Sequence, residues 1–389
     1  NTIILDSRQL GLKVSANSLY GFLGAQVKGK YSLIEGSMSV TSRGRELIID
    51  ASKFYEDKYG ATTVYGDTDS TMVYVPGLEN NKEKIWQVAD EMEIAINGCK
   101  EKRDENGNIV QEAIKGIFPT PLYLEFEKAM KALFMRKKHY AYMEYDNKGH
   151  IIKEKASDKE NLNVKGIVLA RRDNCIWIRR TYEKIIRTIF AGTSIEKVFE
   201  IIVDAVIEVI ELKMEITKEL SIIKGMGSNY KSETFALAIF AELMKSLYRP
   251  VNPGDRFPYV VVLDHLKRDK LGQKMRTNEM FLEQWESAGL EYGEEVPEDF
   301  KNPNGLYPPE KIDSFYYICN VLMNPIDKLF EYGYLKIIEK YDEFKYIPQH
   351  NKRLKPVSVR TPIKMMVLMI KDHQKIVNEK GIDFMIPRF

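Results

Sequence analysis

The chain has 389 residues, which is room for two or three ordinary domains or one elaborate one. Hydrophobic residues make up 44% and charged residues 29%, which excludes a disordered or a fibrous chain. Lys and Arg number 58 against 56 Asp and Glu, so the net charge of +2 argues against a wholesale polyanion binder, although a local basic stripe offset by acidic surface is compatible with it. Cys99, Cys175 and Cys319 lie far apart, without ligand spacing, which argues against a disulfide framework or a cysteine-rich zinc site and for a reducing, intracellular compartment. No apolar run approaches the roughly 18 residues of a membrane span, and the opening residues have no signal-peptide pattern, so no membrane partner is expected.

In chain order, Leu12, Ala16, Leu19 and Leu23 form an apolar stripe at helical spacing. Gln9, Lys13, Asn17 and Tyr20 form a polar stripe beside it. A second helix is predicted over Thr41 to Tyr59, with Leu47, Ile48, Ala51, Phe54 and Tyr55 inward and Gly60 as its stop. Two β-rich runs, Ala61 to Tyr65 and Thr71 to Val75, flank Gly66-Asp67-Thr68-Asp69-Ser70 and predict a hairpin. A helix over Lys82 to Asn97 follows, then a charged turn at Lys102 to Asn108. Strands are expected at Leu122 to Glu127, Leu133 to Arg136 and Tyr140 to Tyr145, with a turn at 146–149. Residues 1–170 thus read as α+β, helices packed on a mostly antiparallel sheet.

From Asp173 the pattern turns mainly helical. Helices are predicted at 173–190, 194–213, Thr234 to Tyr248 and Lys311 to Tyr332, with a strand at Tyr259 to Leu263 and irregular chain over 265–306. Charge is unevenly spread. Residues 129–180 hold 13 Lys/Arg against 6 Asp/Glu, residues 345–389 hold 10 against 3, and residues 279–313 hold 2 against 10.

The chemistry-bearing segments are few. Asp67 and Asp69 sit two residues apart in a tight turn; together they can hold a hard divalent ion such as Mg²⁺, although an Asp-rich hairpin turn is also common on its own. Lys13, Asn17 and Tyr20 project a cation, an amide and an aromatic hydroxyl from one helix face, a set suited to a phosphate and a base and equally compatible with a solvated face. Arg136-Lys137-Lys138-His139-Tyr140 joins cations to an aromatic at a strand start and suits a nucleic-acid backbone, or plain solvated surface. Arg171-Arg172 precedes a helix that Asp173 or Asn174 is expected to cap; DNA contact and an ion-pair network are both open for the pair.

Together these segments resemble one family. Lys13-Val14-Ser15-Ala16-Asn17-Ser18-Leu19-Tyr20-Gly21 is similar to the Lys-x-x-x-Asn-Ser-x-Tyr-Gly motif of family B (α-like) DNA polymerases. Tyr65 to Ser70 is identical to that family's Tyr-Gly-Asp-Thr-Asp-Ser motif, and Lys137 to Tyr140 resembles its Lys-Lys-x-Tyr motif, in the same order and spacing. Leu124 to Lys128, Lys165-Gly166, Arg171 to Asn174, Gly254 to Tyr259, and Ile312-Asp313 with Tyr316-Tyr317 resemble the delta-type and large-DNA-virus branch. The likeness runs to about residue 340.

The resemblance implies an antiparallel palm sheet with packed helices at 25–172, the end of the fingers at 1–24, a mainly helical thumb at 173–345 and a basic tail at 346–389. It implies Asp69 as main metal ligand with Asp67 secondary, and two Mg²⁺ ions in the complete active site. Lys13 is implied on the nucleotide triphosphate, Asn17 and Tyr20 beside the nascent base pair, and Lys137, Lys138, Tyr140, Arg171 and Arg172 on primer–template DNA. The reaction implied is transfer of a nucleotide from a dNTP to a primer 3′-hydroxyl, in the nucleus or at a viral replication site.

One departure stands out. The family's other carboxylate motif, roughly Asp-x-x-Ser-Leu-Tyr-Pro, does not occur in these 389 residues. The expectation is therefore part of a larger or split polymerase, inactive alone and partnered by a polypeptide that carries the missing motif; the alternative is a non-catalytic DNA-binding subunit. The three cysteines leave no cysteine-rich C-terminal module. The basic tail, with Lys352, Arg353, Lys355 and Arg360, suits DNA or a sliding clamp.

Overall fold

The computed structural model describes residues 2–25, 32–106, 108–154, 159–266, 268–292, 294, 296, 297, 300 and 308–330. The basic tail at 346–389 lies outside them. The chain divides into two compact units, residues 1–130 with 143–161, and residues 131–142 with 162 onward. Each mixes helices with small antiparallel sheets. No described helix is long and apolar enough to cross a membrane.

In the first unit, α1 (Thr2–Leu23) and α2 (Ile34–Tyr59) lead into the strands β1 (Thr62–Asp67) and β2 (Ser70–Tyr74). Helix α2 buries Leu47, Ala51 and Tyr55, spaced by four, and ends at Gly60, whose left-handed backbone (φ 60°) returns its N–H to the carbonyls of Glu56 and Tyr55. It begins at Ile34, earlier than expected: Leu33 offers no side-chain cap, so the start carries no local signal. The apolar stripe of α1 is not buried. Leu12 is 74% and Leu19 62% exposed. Helix α3 (Ile85–Asn97) completes a core of Ala51, Tyr55, Ala61, Met92 and Ile96, flanked by Phe54, Val73 and Val75. Two short pairs follow, β3 (Gly98–Cys99) with β6 (Ile114–Lys115), and β4 (Lys102–Arg103) with β5 (Ile109–Gln111). The Asp104 carboxylate closes the charged turn between β4 and β5 by accepting from the backbone N–H groups of Asn106 and Asn108.

The strand expected at Leu122 to Glu127 does not form. Its backbone groups are claimed by side chains of α3: Asn97 brackets Leu124 with two hydrogen bonds of 2.8 Å, and the Phe126 N–H donates to Glu93 at 2.6 Å. Extended chain satisfied this way has no use for a ladder partner.

The strands β7 (Met130–Arg136), β8 (His139–Glu144) and β9 (Asn163–Lys165) make a three-stranded sheet, most of whose residues belong to the second unit. Then come α4 (Ile176–Phe190), α5 (Ile195–Glu211), the single turn α6 (Ile216–Glu219), β10 (Ile222–Gly225), α7 (Ala236–Ser246) and β11 (Arg256–Val261). After them lie α8 (Leu271–Lys274), β12 (Met275–Thr277), α9 (Asn278–Ser287), α10 (Ser314–Tyr316) and α11 (Met323–Phe330), the last two joined by a π-helical turn at Tyr317–Leu322. The sheet β10-β11-β12 is antiparallel throughout. Trp177, Ile178, Ile202, Phe240, Phe281 and Tyr317 fill the core, with the Phe240 and Phe257 rings stacked at 4.9 Å.

Residues 265–306 were expected to be irregular, yet β12 and α9 lie within them. A buried ion-pair network holds them. The Arg276 guanidinium donates to Glu310 at 2.6 and 2.7 Å and to Asp264 at 3.3 Å, and spends its remaining donors on the carbonyls of Gln273 and Met275. His265 and Gln284 close the Glu310 carboxylate from the other side. Burial alone would raise the Asp264 carboxyl, but the hydrogen bonds and charge of Arg268, with Arg276 behind, hold it down at about 2.

Replacing Arg276 by Met is expected to cost about 3–5 kcal/mol, read as a lower urea midpoint, because it strips the buried Glu310 carboxylate of its guanidinium and leaves Asp264 with Arg268 alone. The folded-state value of Asp264 is depressed, so its contribution is present above the ordinary carboxylate value near 4 and is lost as pH falls toward about 2. Asp264→Asn should flatten that part of the stability–pH curve.

Candidate functional site

The sharpest sequence feature is the connection between β1 and β2. Asp67 pairs with Ser70, so two residues, Thr68 and Asp69, make the whole reversal. The Asp69 N–H reaches back to the Asp67 carbonyl at 2.6 Å, and Thr68 sits in the left-handed region at φ 54°, an unfavourable place for a β-branched residue. The Ser70 hydroxyl donates to the same Asp67 carbonyl at 3.2 Å, and the Thr68 hydroxyl donates to the Asp67 carboxylate at 3.3 Å. Behind the turn, α2 braces the hairpin through the Ser52–Thr71 hydroxyl pair at 3.2 Å. Asp67 is half-buried and Asp69 exposed.

The structure thus brings Asp67 and Asp69 to one turn on a braced hairpin. The Asp69 carboxylate makes no hydrogen bond or ion pair among the described residues, so its oxygens remain open for ligation. Two carboxylates with only oxygen donors fit a hard divalent cation and would supply part of its shell. A larger group of metal-ligand side chains exists among the described residues, Asp264, His265 and Glu310, but Arg268 and Arg276 already occupy both carboxylates, and that cluster is the structural network described above.

Lys13, Asn17 and Tyr20 lie at spacings of four and three on α1, all exposed, as the polar stripe predicts.

In the second unit, Lys137 and Lys138 form the tip between β7 and β8, both exposed. Lys138 takes the left-handed conformation at φ 61°. Tyr140, at the start of β8, is half-buried with its ring 5.4 Å from Phe134 and 6.0 Å from Tyr142, and it lies opposite Lys165 of β9. Gly166 passes directly under the tip: a Cβ there would lie 2.0 Å from the Lys138 carbonyl oxygen, and its own φ is +66°.

Arg171 and Arg172 are exposed. Arg171 grips Asp173 with two bonds of 3.2 and 2.9 Å, and Lys224 donates to the same carboxylate at 3.0 Å. Burial would raise Asp173, but these two cations hold it below the usual carboxylate range. The expected helix cap therefore fails. Asp173 is taken, Asn174 donates to the Val168 carbonyl, and α4 starts after Cys175 without a side-chain cap. The Cys175 thiol is pushed up to about 12 by burial, so it is an inert core group. Lys224 and Arg256 join Arg171 and Arg172 around one open groove. Sequence spacing did not single these two out, since only the β10–β11 pairing brings residue 224 beside 256.

The family model of DNA polymerase family B matches residues 1–332. The chain belongs to DNA polymerase family B. Relatives of this family B chain include the DNA polymerase delta catalytic subunits of Arabidopsis thaliana, 34% identical over 277 residues, and of Glycine max, 30% identical over 272. Each alignment covers 67% of this chain and 22% of the relative. The DNA polymerase of Red sea bream iridovirus is 32% identical over 193 residues, 49% of this chain and 17% of that protein. The chain thus spans about a fifth of the length of the delta subunits it matches. Superposition on the family B DNA polymerase of the archaeon Pyrobaculum calidifontis gives a TM-score of 0.49 at 20% identity, over 84% of this chain and 34% of that one, and adds nothing to the assignment.

Gly166→Ala is expected to lower stability by about 1–3 kcal/mol, from the left-handed backbone and the collision with the Lys138 carbonyl together. Gly192→Ala, at φ +69° with open space around it, isolates the backbone part and should cost less. Equal shifts in the two urea midpoints would contradict the tight packing at the tip.

Proposed function

We propose that this chain supplies one catalytic carboxylate motif and much of the DNA grip of a DNA-directed DNA polymerase. The observation that carries the reading is the two-residue hairpin turn presenting Asp67 and Asp69. Asp69, the exposed one, is the principal metal ligand; Asp67, half-buried and hydrogen-bonded by Thr68, has a secondary role. Bound Mg²⁺, two ions in the complete site, would supply countercharge at the reacting phosphate and activate the primer hydroxyl.

The reaction is nucleotidyl transfer. The primer 3′-oxygen forms a bond to the α-phosphorus of a dNTP, and the bond from that phosphorus to the bridging oxygen breaks as pyrophosphate leaves. The protein contributes position and charge more than covalent chemistry. Lys13 offsets the negative charge that grows on the departing pyrophosphate. Asn17 and Tyr20, on the same face of α1, lie beside the nascent base pair. Lys137 and Lys138 contact the primer–template backbone from the β7–β8 tip, with Tyr140 fixing the tip through its ring contacts. Arg171 and Arg172 extend that contact.

In this reading residues 1–24 belong to the fingers, 25–172 to the palm and 173–345 to the thumb, in a polymerase of the delta or viral branch that works in the nucleus or at a viral replication site. A second carboxylate, on an Asp-x-x-Ser-Leu-Tyr-Pro motif outside these 389 residues, completes the metal site. A sliding clamp is a further partner.

Two measurements test this. These 389 residues alone should not extend a primer in Mg²⁺, whereas their combination with a polypeptide bearing the second motif should. In that combination Asp69→Ala should reduce extension by more than the roughly 10–100-fold typical of losing a mere outer-shell partner of a metal, and Asp67→Ala by less than Asp69→Ala. Full extension by the Asp69→Ala combination would refute the assignment.

A further inference from the structure

The groove at the edge of β10 and β11 gathers cations from three separate stretches of the second unit. Arg171 and Arg172 come from the segment before α4, Lys224 from β10 and Arg256 from the start of β11. Asp173 is the single acidic residue in its lining. That carboxylate binds Arg171 and Lys224 at once, which leaves the groove cationic and holds two long side chains in one place. The Ile223 N–H also donates to the Asp173 carbonyl at 3.1 Å, tying the segment to the strand. Arg172 and Arg256 have no carboxylate partner among the described residues. Some exposed cations elsewhere on this unit do have a carboxylate partner, as in Lys213–Glu211 and Lys218–Glu215.

The groove also has room. Gly225 stands opposite Arg256 in the ladder, and a Cβ there would meet nothing closer than 3.8 Å. Two held cations, two unpartnered guanidiniums and a side-chain-free strand residue between them suit a tetrahedral oxyanion. Arginine forks suit phosphate oxygens in particular. The groove is open rather than enclosed, which suits a phosphate embedded in a continuous chain better than a free ion that must be surrounded to be held.

We propose that Arg171, Arg172, Lys224 and Arg256 form one phosphodiester site that grips the backbone of duplex DNA, with Lys224 and Arg256 as DNA contacts in their own right. The inference rests on reading the second unit as the part that holds primer–template. Contacts of this kind carry no base information, so their loss weakens every sequence alike.

The test is fluorescence anisotropy of a labelled primer–template duplex titrated with the 389-residue chain at several salt concentrations. The double variant Lys224→Gln/Arg256→Gln should bind about tenfold more weakly, equally for unrelated sequences, and the slope of log affinity against log salt should fall by about one. Gly225→Asp, which places a carboxylate in the groove without crowding, should reproduce the loss. Lys213→Gln/Lys218→Gln removes the same charge from the same unit outside the groove and should change affinity by no more than about twofold, the small effect of exposed pairs. If the groove variants bind as the wild type does, or no worse than this control, the inference is overturned while the polymerase reading stands. If the wild-type chain binds no duplex at all, the inference and the DNA-holding role fall together, whereas the Asp69 result in the extension assay stands or falls separately.

Discussion

The candidate site depends on one geometric constraint, a chain reversal completed in two residues. Because Asp67 is itself the last residue of β1 and pairs with Ser70, the carboxylates of Asp67 and Asp69 inherit the rigidity of an antiparallel ladder. A longer loop would let them move independently. Thr68 takes the cost, in a backbone region that β-branched residues avoid. The Thr68 hydroxyl returns something by bonding to Asp67, and α2 holds the sheet from behind through Ser52. Strain, pairing and bracing converge on the two carboxylates of the candidate site.

The second unit uses charge differently in its interior and at its surface. Inside, Arg276 is surrounded by acceptors until its donors are spent, and the result is a tie between β12 and the segment before α10. At the surface, Asp173 is shared between two cations, and the remainder are left over. The near-zero net charge of the whole chain conceals both arrangements.

Legibility in the sequence followed the range of the determining interaction. The Asp67–Asp69 turn and the end of α2 at Gly60 are set by neighbouring residues, and they fall where the sequence puts them. Helices α4, α5 and α7 fall within the runs at 173–190, 194–213 and Thr234 to Tyr248 that were expected to be helical. Leu122 to Glu127 looked like a strand because its alternation is real, but whether extended chain becomes a strand depends on who answers its backbone groups, and here Asn97 and Glu93 do. Helix α9 was hidden by its acidic composition, although Thr277 caps it by accepting from the Met280 N–H. The stripe on α1 was legible as a helix, but its burial was not, since burial depends on what else lies nearby. The groove around Arg256 required a strand pairing across more than 30 residues, which no local pattern encodes.

The division of the chain into units has a consequence for synthesis. Residues 131–142 belong with the second unit, while 143–161 return to the first. The backbone crosses between the units three times, so neither is a contiguous stretch. A ribosome that has delivered residue 142 has finished neither unit. The first waits for 143–161, and the β7–β8 hairpin waits for β9 and for the helices beyond it. Domains that emerge whole can fold one after the other as they are made. Here each unit is completed only by chain made after residue 142, although the Asp67–Asp69 turn, with α2 behind it, and the lysine tip are already present by then.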